Sequence, residues 1–218
     1  MNLHANLLLS LVLVFMGPVA FAADMGMGQG RLFLGSTKTA PTELNTELTA
    51  QGIKNVDLNN SFGVEITFPT FQYLQLGLRY THHLIGQDET NADPSTDYKA
   101  SLTQDSMMGI ARVPFFKSDF VHMDIFVGAG VSASAFTLKT ASQDGKLEKA
   151  TTPNLAAGAS LSFGYKKYFL TLEGGYESNK LEDFKRTGNI NSNVTAMDLS
   201  GSYFLIGFMF DGIPIFTK

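Results

Sequence analysis

Arg31, Glu65, Arg79, Arg112, Asp124, Glu173 and Glu177 stand in segments that are otherwise apolar or built of small residues. In each segment apolar residues alternate with polar or small ones, and the charge falls on the polar side. Charges drawn into one interior must be paired, because an unpaired buried charge is too costly to keep. The chemistry these residues imply is a salt-bridged network filling an enclosed space, in which acids and bases require one another. Other groups carry catalytic residue types without the spacing catalysis needs. His82 and His83 offer a base, but THHLIG supplies no serine beside them, and a nucleophilic triad needs a hydroxyl and an orienting carboxylate. These two read instead as a histidine pair at an interface. His122 and Asp124 form a His-x-Asp pair beside a short turn, a position that argues against catalysis. GAGVSA at 128–133 loosely resembles a dinucleotide fingerprint, which requires a following helix and a βαβ unit. Neither is present, so these glycines serve close packing. Asp88, Glu89, Asp93 and Asp97 lack the spacing of a calcium loop. The chain has no cysteine, so no thiolate metal site or disulfide framework. No catalytic residue, metal or cofactor is expected.

The elements that must position the charges are strands. Met123, Ile125, Val127, Ala129 and Val131 fall on one face, with Asp124, Phe126, Gly128, Gly130 and Ser132 on the other. This period of two marks a strand rather than a helix. Leu74, Leu76, Leu78 and Tyr80 oppose Gln75, Gly77, Arg79 and Thr81 in the same way. Eight such segments are expected, at 30–37, 58–68, 73–84, 100–114, 121–137, 152–165, 168–179 and 195–210. Most reach the roughly 9–11 residues that a tilted strand needs to cross a bilayer. No window after the first 22 residues is apolar enough for a transmembrane helix.

Residues 1–22 read as a cleaved secretory signal: LLLSLVLV at 7–14, a Gly17-Pro18 break, then Ala20-Phe21-Ala22. The connections between expected strands alternate in length. Those at 69–72, 115–120 and 166–167 are short; those at 38–57, 85–99, 138–151 and 180–194 are long and polar. Short periplasmic turns and long external loops are the pattern of an outer-membrane barrel. An even strand number leaves both chain ends on the periplasmic side. A formal net charge of -4 provides no basic face for nucleic acid, so no nucleic-acid partner is expected.

A soluble eight-stranded barrel is the competing architecture, and it turns its apolar face inward. Here the polar face is rich in glycine and serine with scattered charges, which suits a narrow filled lumen. The other face is bulky and uncharged, which suits acyl chains. Phe68, Phe71, Tyr73, Phe115, Phe116, Phe120, Tyr165, Tyr168, Phe208 and Phe210 cluster beside the short turns, where an aromatic girdle lies. The fold class expected is therefore all-β, an eight-stranded antiparallel up-and-down transmembrane β-barrel over 23–210, preceded by the signal peptide and followed by a short periplasmic tail at 211–218.

With its opening strand RLFLGST and closing strand GSYFLIGFMF, the layout resembles the small outer-membrane barrels typified by OmpX and the OmpA transmembrane domain. The resemblance covers 30–210 and rests on pattern, not on a diagnostic motif. Members end on an aromatic residue read by the barrel assembly machinery; here DGIPIFTK follows Phe210. The resemblance implies an integral, non-enzymatic outer-membrane protein with a structural or surface-interaction role, whose loops recognise envelope or host components. Its partners would be outer-membrane lipid and lipopolysaccharide, the assembly machinery, and external ligands. Lys139, Lys146, Lys149, Lys180, Lys185 and Arg186 are the candidate contacts to lipopolysaccharide phosphates. A narrow channel for small or apolar molecules, and a lipid A-modifying enzyme lacking the His-x-Ser pattern of the deacylases, are the alternative functions.

Overall fold

Alternating side chains need a partner strand for every backbone amide, and in a membrane no edge can be left open. The chain meets this demand by closing on itself. The computed structural model describes residues 28–39, 41–56, 58–71, 73–89 and 97–213. The expected signal segment at 1–22 lies outside the described residues, as do Asp93 and residues 214–218. The ring is made by β1 (Gly28–Thr39), β2 (Leu58–Phe71), β3 (Leu74–Glu89), β4 (Tyr98–Lys117), β5 (Val121–Thr140), β6 (Asp144–Tyr165), β7 (Tyr168–Ser178) and β11 (Gly201–Ile213). Each pairs antiparallel with its neighbours, β5 with β6, and β1 with β11, so eight strands form a closed barrel. From Gln29 to Lys38 both partners of β1 pair without a shift: Leu34 faces Phe62 on one side and Ile206 on the other.

Three short elements between β7 and β11, and one helix, complete the chain. They are α1 (Thr42–Ala50), β8 (Lys180–Glu182), β9 (Lys185–Asn189) and β10 (Ala196–Asp198). The expected loop at 138–151 is not a loop. β4, β5 and β6 run for 20, 20 and 22 residues, about twice the bilayer requirement, so their hairpins rise beyond the membrane. β9 adds to this rising sheet along β6, with Leu147 opposite Arg186. The last barrel strand starts at Gly201, not at 195, because Ala196–Asp198 pairs with Lys180–Glu182 as a separate ribbon. It also continues through Asp211–Ile213, which pair with Gln29 and Gly28, so the segment after Phe210 begins as strand.

Two places show how tightly the sheet closes. The β6–β7 connection is the two-residue turn Lys166-Lys167, with Tyr165 opposite Tyr168 and Lys166 at φ 60°, the backbone twist that a two-residue hairpin demands. At Gly130 a Cβ would lie 1.9 Å from the Met107 carbonyl oxygen, so only glycine lets β5 approach β4 there.

The apolar residues separate into three regions. Among the described residues twenty-four large hydrophobic side chains are exposed, most of them on the barrel's outer wall, among them Leu34, Val127 and Phe208 at 65%, 61% and 59%. An apolar surface of this extent far exceeds what a water-soluble monomer shows, which excludes the soluble barrel with its apolar lumen. A small interior cluster, including Phe33, Phe126 and Met108, lies within the lumen. The third region is an external core in which Leu44 and Leu48 of α1 meet Leu102, Phe136, Leu147 and Leu181. α1 has only those two large apolar side chains in its nine residues (TELNTELTA), and docking on this core is what holds so short a helix. Asn45 joins it to the following chain, donating from Nδ2 to the Val56 carbonyl at 3.1 Å and accepting from the Val56 amide at 2.7 Å.

Candidate functional site: an ionic layer beneath an external head

The strand register decides which charges meet. Arg31 of β1 is directly opposite Glu65 of β2, and Glu65 directly opposite Arg79 of β3. All three point inward, so an acid stands between two bases along the inner wall. Arg112 of β4, Asp124 of β5 and Glu173 of β7 reach the same level from around the barrel. The six side chains are all buried, Arg112 completely.

Their contacts form one network. Arg79 donates from Nε to Glu65 Oε2 at 2.8 Å, and grips Glu173 with both terminal nitrogens at 2.8 and 2.9 Å. Arg112 donates to Glu65 at 2.5 and 3.0 Å, to Glu173 at 2.7 Å, and to Asp124. Arg31 donates to Asp124 at 2.8 Å and to Ser160 Oγ at 3.0 Å. Three guanidiniums thus face three carboxylates, and the layer is electrically balanced. The planar guanidinium fork suits this bidentate pairing better than an ammonium would. Aromatic rings complete the packing. The Arg79 guanidinium lies 4.9 Å from the Phe33 ring centroid and 4.8 Å from that of Phe126, and Arg112 lies 4.4 Å from Phe126. Tyr203 donates to Glu173 at 3.3 Å.

Glu177, grouped with these residues by the sequence pattern, is buried but belongs elsewhere. It accepts from Asn154 Nδ2 at 2.6 Å and lies 3.6 Å from His83 Nε2, nearer the external end of the lumen. The expected histidine pair is also divided. Neighbours along a strand point to opposite faces, so His83 lines the lumen whereas His82 is on the outer wall, with Nδ1 2.8 Å from Asp105 Oδ1. The His-x-Asp pair separates by function rather than by face: Asp124 belongs to the ionic layer, while His122 packs its ring 4.2 Å from that of Phe169. Phe33, Tyr203 and Ser160 were not anticipated as partners of the charges. Phe126 was visible on the polar face by alternation, and its presence there was the signal that an arginine needed an aromatic platform.

The external core includes α1, whose glutamates bind the chain that leads into β10. Glu43 of α1 accepts from the Thr195 and Ala196 amides at 2.7 and 3.0 Å and from Thr195 Oγ1 at 3.1 Å. The Thr195 backbone hydrogen bond, aided by the Ala196 amide and the Thr195 hydroxyl, holds the Glu43 carboxyl below its usual range against the opposing effect of desolvation. Glu47 accepts from the Asn193 amide at 2.9 Å. Two glutamates thereby tie the helix to the segment leading into β10. The structure does not gather the six external cations into one patch. Lys139, Lys146 and Lys185 share the outer face of the risen sheet, and Lys99, opposite Lys139, joins them. Lys139 is 3.6 Å from Asp144 and Lys146 is 2.8 Å from Glu148. Lys180 sits on the β8 ribbon 3.9 Å from Asp198, Arg186 turns toward the Val194 carbonyl at 3.4 Å, and Lys149 lies at the bulge opposite Ser134.

At the opposite end the aromatic girdle is present on the outer wall. Phe120 stacks on Tyr165 at 5.6 Å, and Tyr168 meets Phe210 edge-on at 5.9 Å. No family model matches the chain, and no curated protein matches it in sequence. Among solved structures, the outer membrane protein OprG from Pseudomonas aeruginosa aligns with a TM-score of 0.54 and 14% identity, over 87% of this chain and 97% of that one. The chain has the fold of the small bacterial outer-membrane β-barrels. Ail, the attachment invasion locus protein of Yersinia pestis, aligns at 0.49 and 12% identity over 86% and 99% of the two chains. The outer membrane protease OmpT from Escherichia coli aligns at 0.43 and 7% identity over 86% and 94%. In this fold Leu34, Val127 and Phe208 stand on the outer wall, and Arg31, Glu65, Arg79, Arg112, Asp124 and Glu173 are buried within.

Proposed function

We propose that this barrel is a sealed, non-conducting anchor that displays a folded external head for contacts at the cell surface. The observation that supports this reading is the ionic layer packed across the lumen. An eight-stranded barrel has an interior just wide enough to be filled by side chains, and six paired charges with their aromatic platforms meet at one level of it. The external core built on Leu44, Leu48 and Leu181 is a second packed layer beyond it. A protein that invests in a second hydrophobic core outside the membrane presents a defined surface rather than free loops. In this reading the Lys139, Lys146 and Lys185 face contacts lipopolysaccharide phosphates, because it rises directly above the lipid-facing wall of the same strands. Glu43 and Glu47 fix the helical side of the head for external ligands. The barrel assembly machinery inserts the chain from the periplasm. The test is single-channel recording of the purified protein in a planar bilayer. A flat baseline is expected across the voltage range; discrete, reproducible open events would overturn the sealed reading.

A further inference from the structure

The outer wall of a membrane barrel is the last place for an ionisable side chain, and one that stands there marks a site. Reading outward-facing residues across β2, β3, β4 and β5 gives successive rows. Val64, Tyr80, Met107 and Val131 form an apolar row. The next row toward the outside is Phe62, His82, Asp105 and Ala133, and the one after it Asn60, Leu84, Thr103 and Ala135. The change from lipid to headgroup falls across these rows. Here Asp105 Oδ1 accepts from Tyr80 Oη at 2.6 Å and from His82 Nδ1 at 2.8 Å. With Nδ1 committed to the carboxylate, the ring presents Nε2 as its other polar atom. Phe62 flanks the imidazole at 5.2 Å between ring centroids and Tyr80 edge-on at 6.4 Å, so rotation of the ring is restricted. The side chains of His82 and Asp105 are 25% and 48% accessible, enough for a lipid beside the wall to reach them.

We propose that Tyr80, His82 and Asp105, with Asn60 and Thr103 in the adjoining row, form a binding site on the outer wall for the acylated amino-sugar headgroup of an outer-leaflet glycolipid. Hydroxyl, amide and ester groups at the junction of sugar and acyl chain are the chemistry the site fits. His82 Nε2 and the Asn60 amide, with the Thr103 hydroxyl oxygen as an acceptor while its proton goes to the Ala135 carbonyl at 3.4 Å, offer both donors and acceptors without a dominant cation. Val64, Met107 and Val131 below them supply the surface on which acyl chains lie. The carboxylate makes the site a poor match for a bare phosphate, which separates it from the lysine face higher on β5, β6 and β9. The proposal rests on the reading of this wall as facing the outer leaflet.

The experiment uses the full chain in nanodiscs of rough lipopolysaccharide or of phosphatidylethanolamine. Retained lipid is measured by native mass spectrometry, and the His82 ring nitrogens are observed by 15N NMR. Wild-type protein should retain glycolipid, and His82→Ala with Asn60→Ala should retain at least three-fold less while keeping the heat-modifiable gel shift of a folded barrel. The His82 Nε2 resonance should move in lipopolysaccharide discs relative to phosphatidylethanolamine discs. Equal retention by the variant, or an unmoved resonance, would overturn the proposal, as would an equal response to phosphatidylethanolamine. A Lys139→Gln, Lys146→Gln protein in the same discs reports on the lysine face alone, so the two contacts fail separately.

Discussion

Removal of Arg112 tests whether the ionic layer holds the barrel as a balanced unit. Arg112 is fully buried and bonded to Glu65, Glu173 and Asp124, and no other residue touches all three carboxylates. Arg112→Met leaves two guanidiniums, Arg31 and Arg79, against three carboxylates, so one negative charge loses its compensation in a closed interior. Breaking a buried pair by deleting one partner costs about 3–5 kcal/mol. For a chain of this size each kcal/mol is worth about 2–4 °C, which converts to a fall of roughly 6–20 °C in the midpoint. The assay is heat-modifiable gel mobility in detergent, which reads the temperature at which the compact barrel form is lost. The decisive comparison is the double variant Arg112→Met, Glu65→Gln. It restores two charges against two and should recover at least half of the loss, since a balanced or apolar interior is not intrinsically less stable. A single variant that melts with the wild type, or a double variant no better than the single one, would refute the argument from charge balance.

Other outcomes follow from the remaining elements. Leu181→Ala opens a cavity in the external core, with a loss of about 2–5 kcal/mol confined to the head; protease added outside should cut between 180 and 198 while the barrel keeps its gel shift. Gly130→Val drives side-chain atoms into the Met107 carbonyl and should abolish the heat-modifiable form altogether, which a normal gel shift would contradict. The hydrogen bonds from Thr195 and Ala196 hold the folded-state pKa of Glu43 below that of the unfolded chain, so its contribution is present above the unfolded value and is lost as pH falls through the lower folded one. Hydrogen exchange at the Thr195 and Ala196 amides should therefore accelerate at pH 3 relative to pH 6 after correction for intrinsic rates, and Glu43→Gln should remove most of that difference.

Much of the barrel was legible in the sequence because a strand has a period of two and a wall has two solvents. Alternation placed Ile125 and Val127 outward and Asp124 and Phe126 inward without any knowledge of which strands meet. The alternating loop lengths are the basis of the proposed orientation. What alternation cannot supply is register, and register decides partners: it brings Arg31, Glu65 and Arg79 into line and leaves Glu177 with Asn154. The head was hidden for a different reason. α1 has two large apolar residues, β8 and β10 three residues each, and none is stable without the core they share. The polar segment 138–151 reads as a loop, although Leu138 and Leu147 pack in that core and most of the segment is strand. The dyad of His82 and Asp105 was equally invisible, because 23 positions separate residues that cross-strand pairing makes neighbours.

The central claim is a barrel crossing the outer membrane with its folded head outside and its short turns in the periplasm. The chain has no cysteine, so single cysteines report position without background. Thr187→Cys on β9 and Asp119→Cys in the β4–β5 turn, both at exposed positions, should be treated with a membrane-impermeant maleimide on intact cells. Labelling at 187, with 119 labelled only after the outer membrane is permeabilised, is the predicted result. Labelling at 119 in intact cells, or protection at 187, would contradict it.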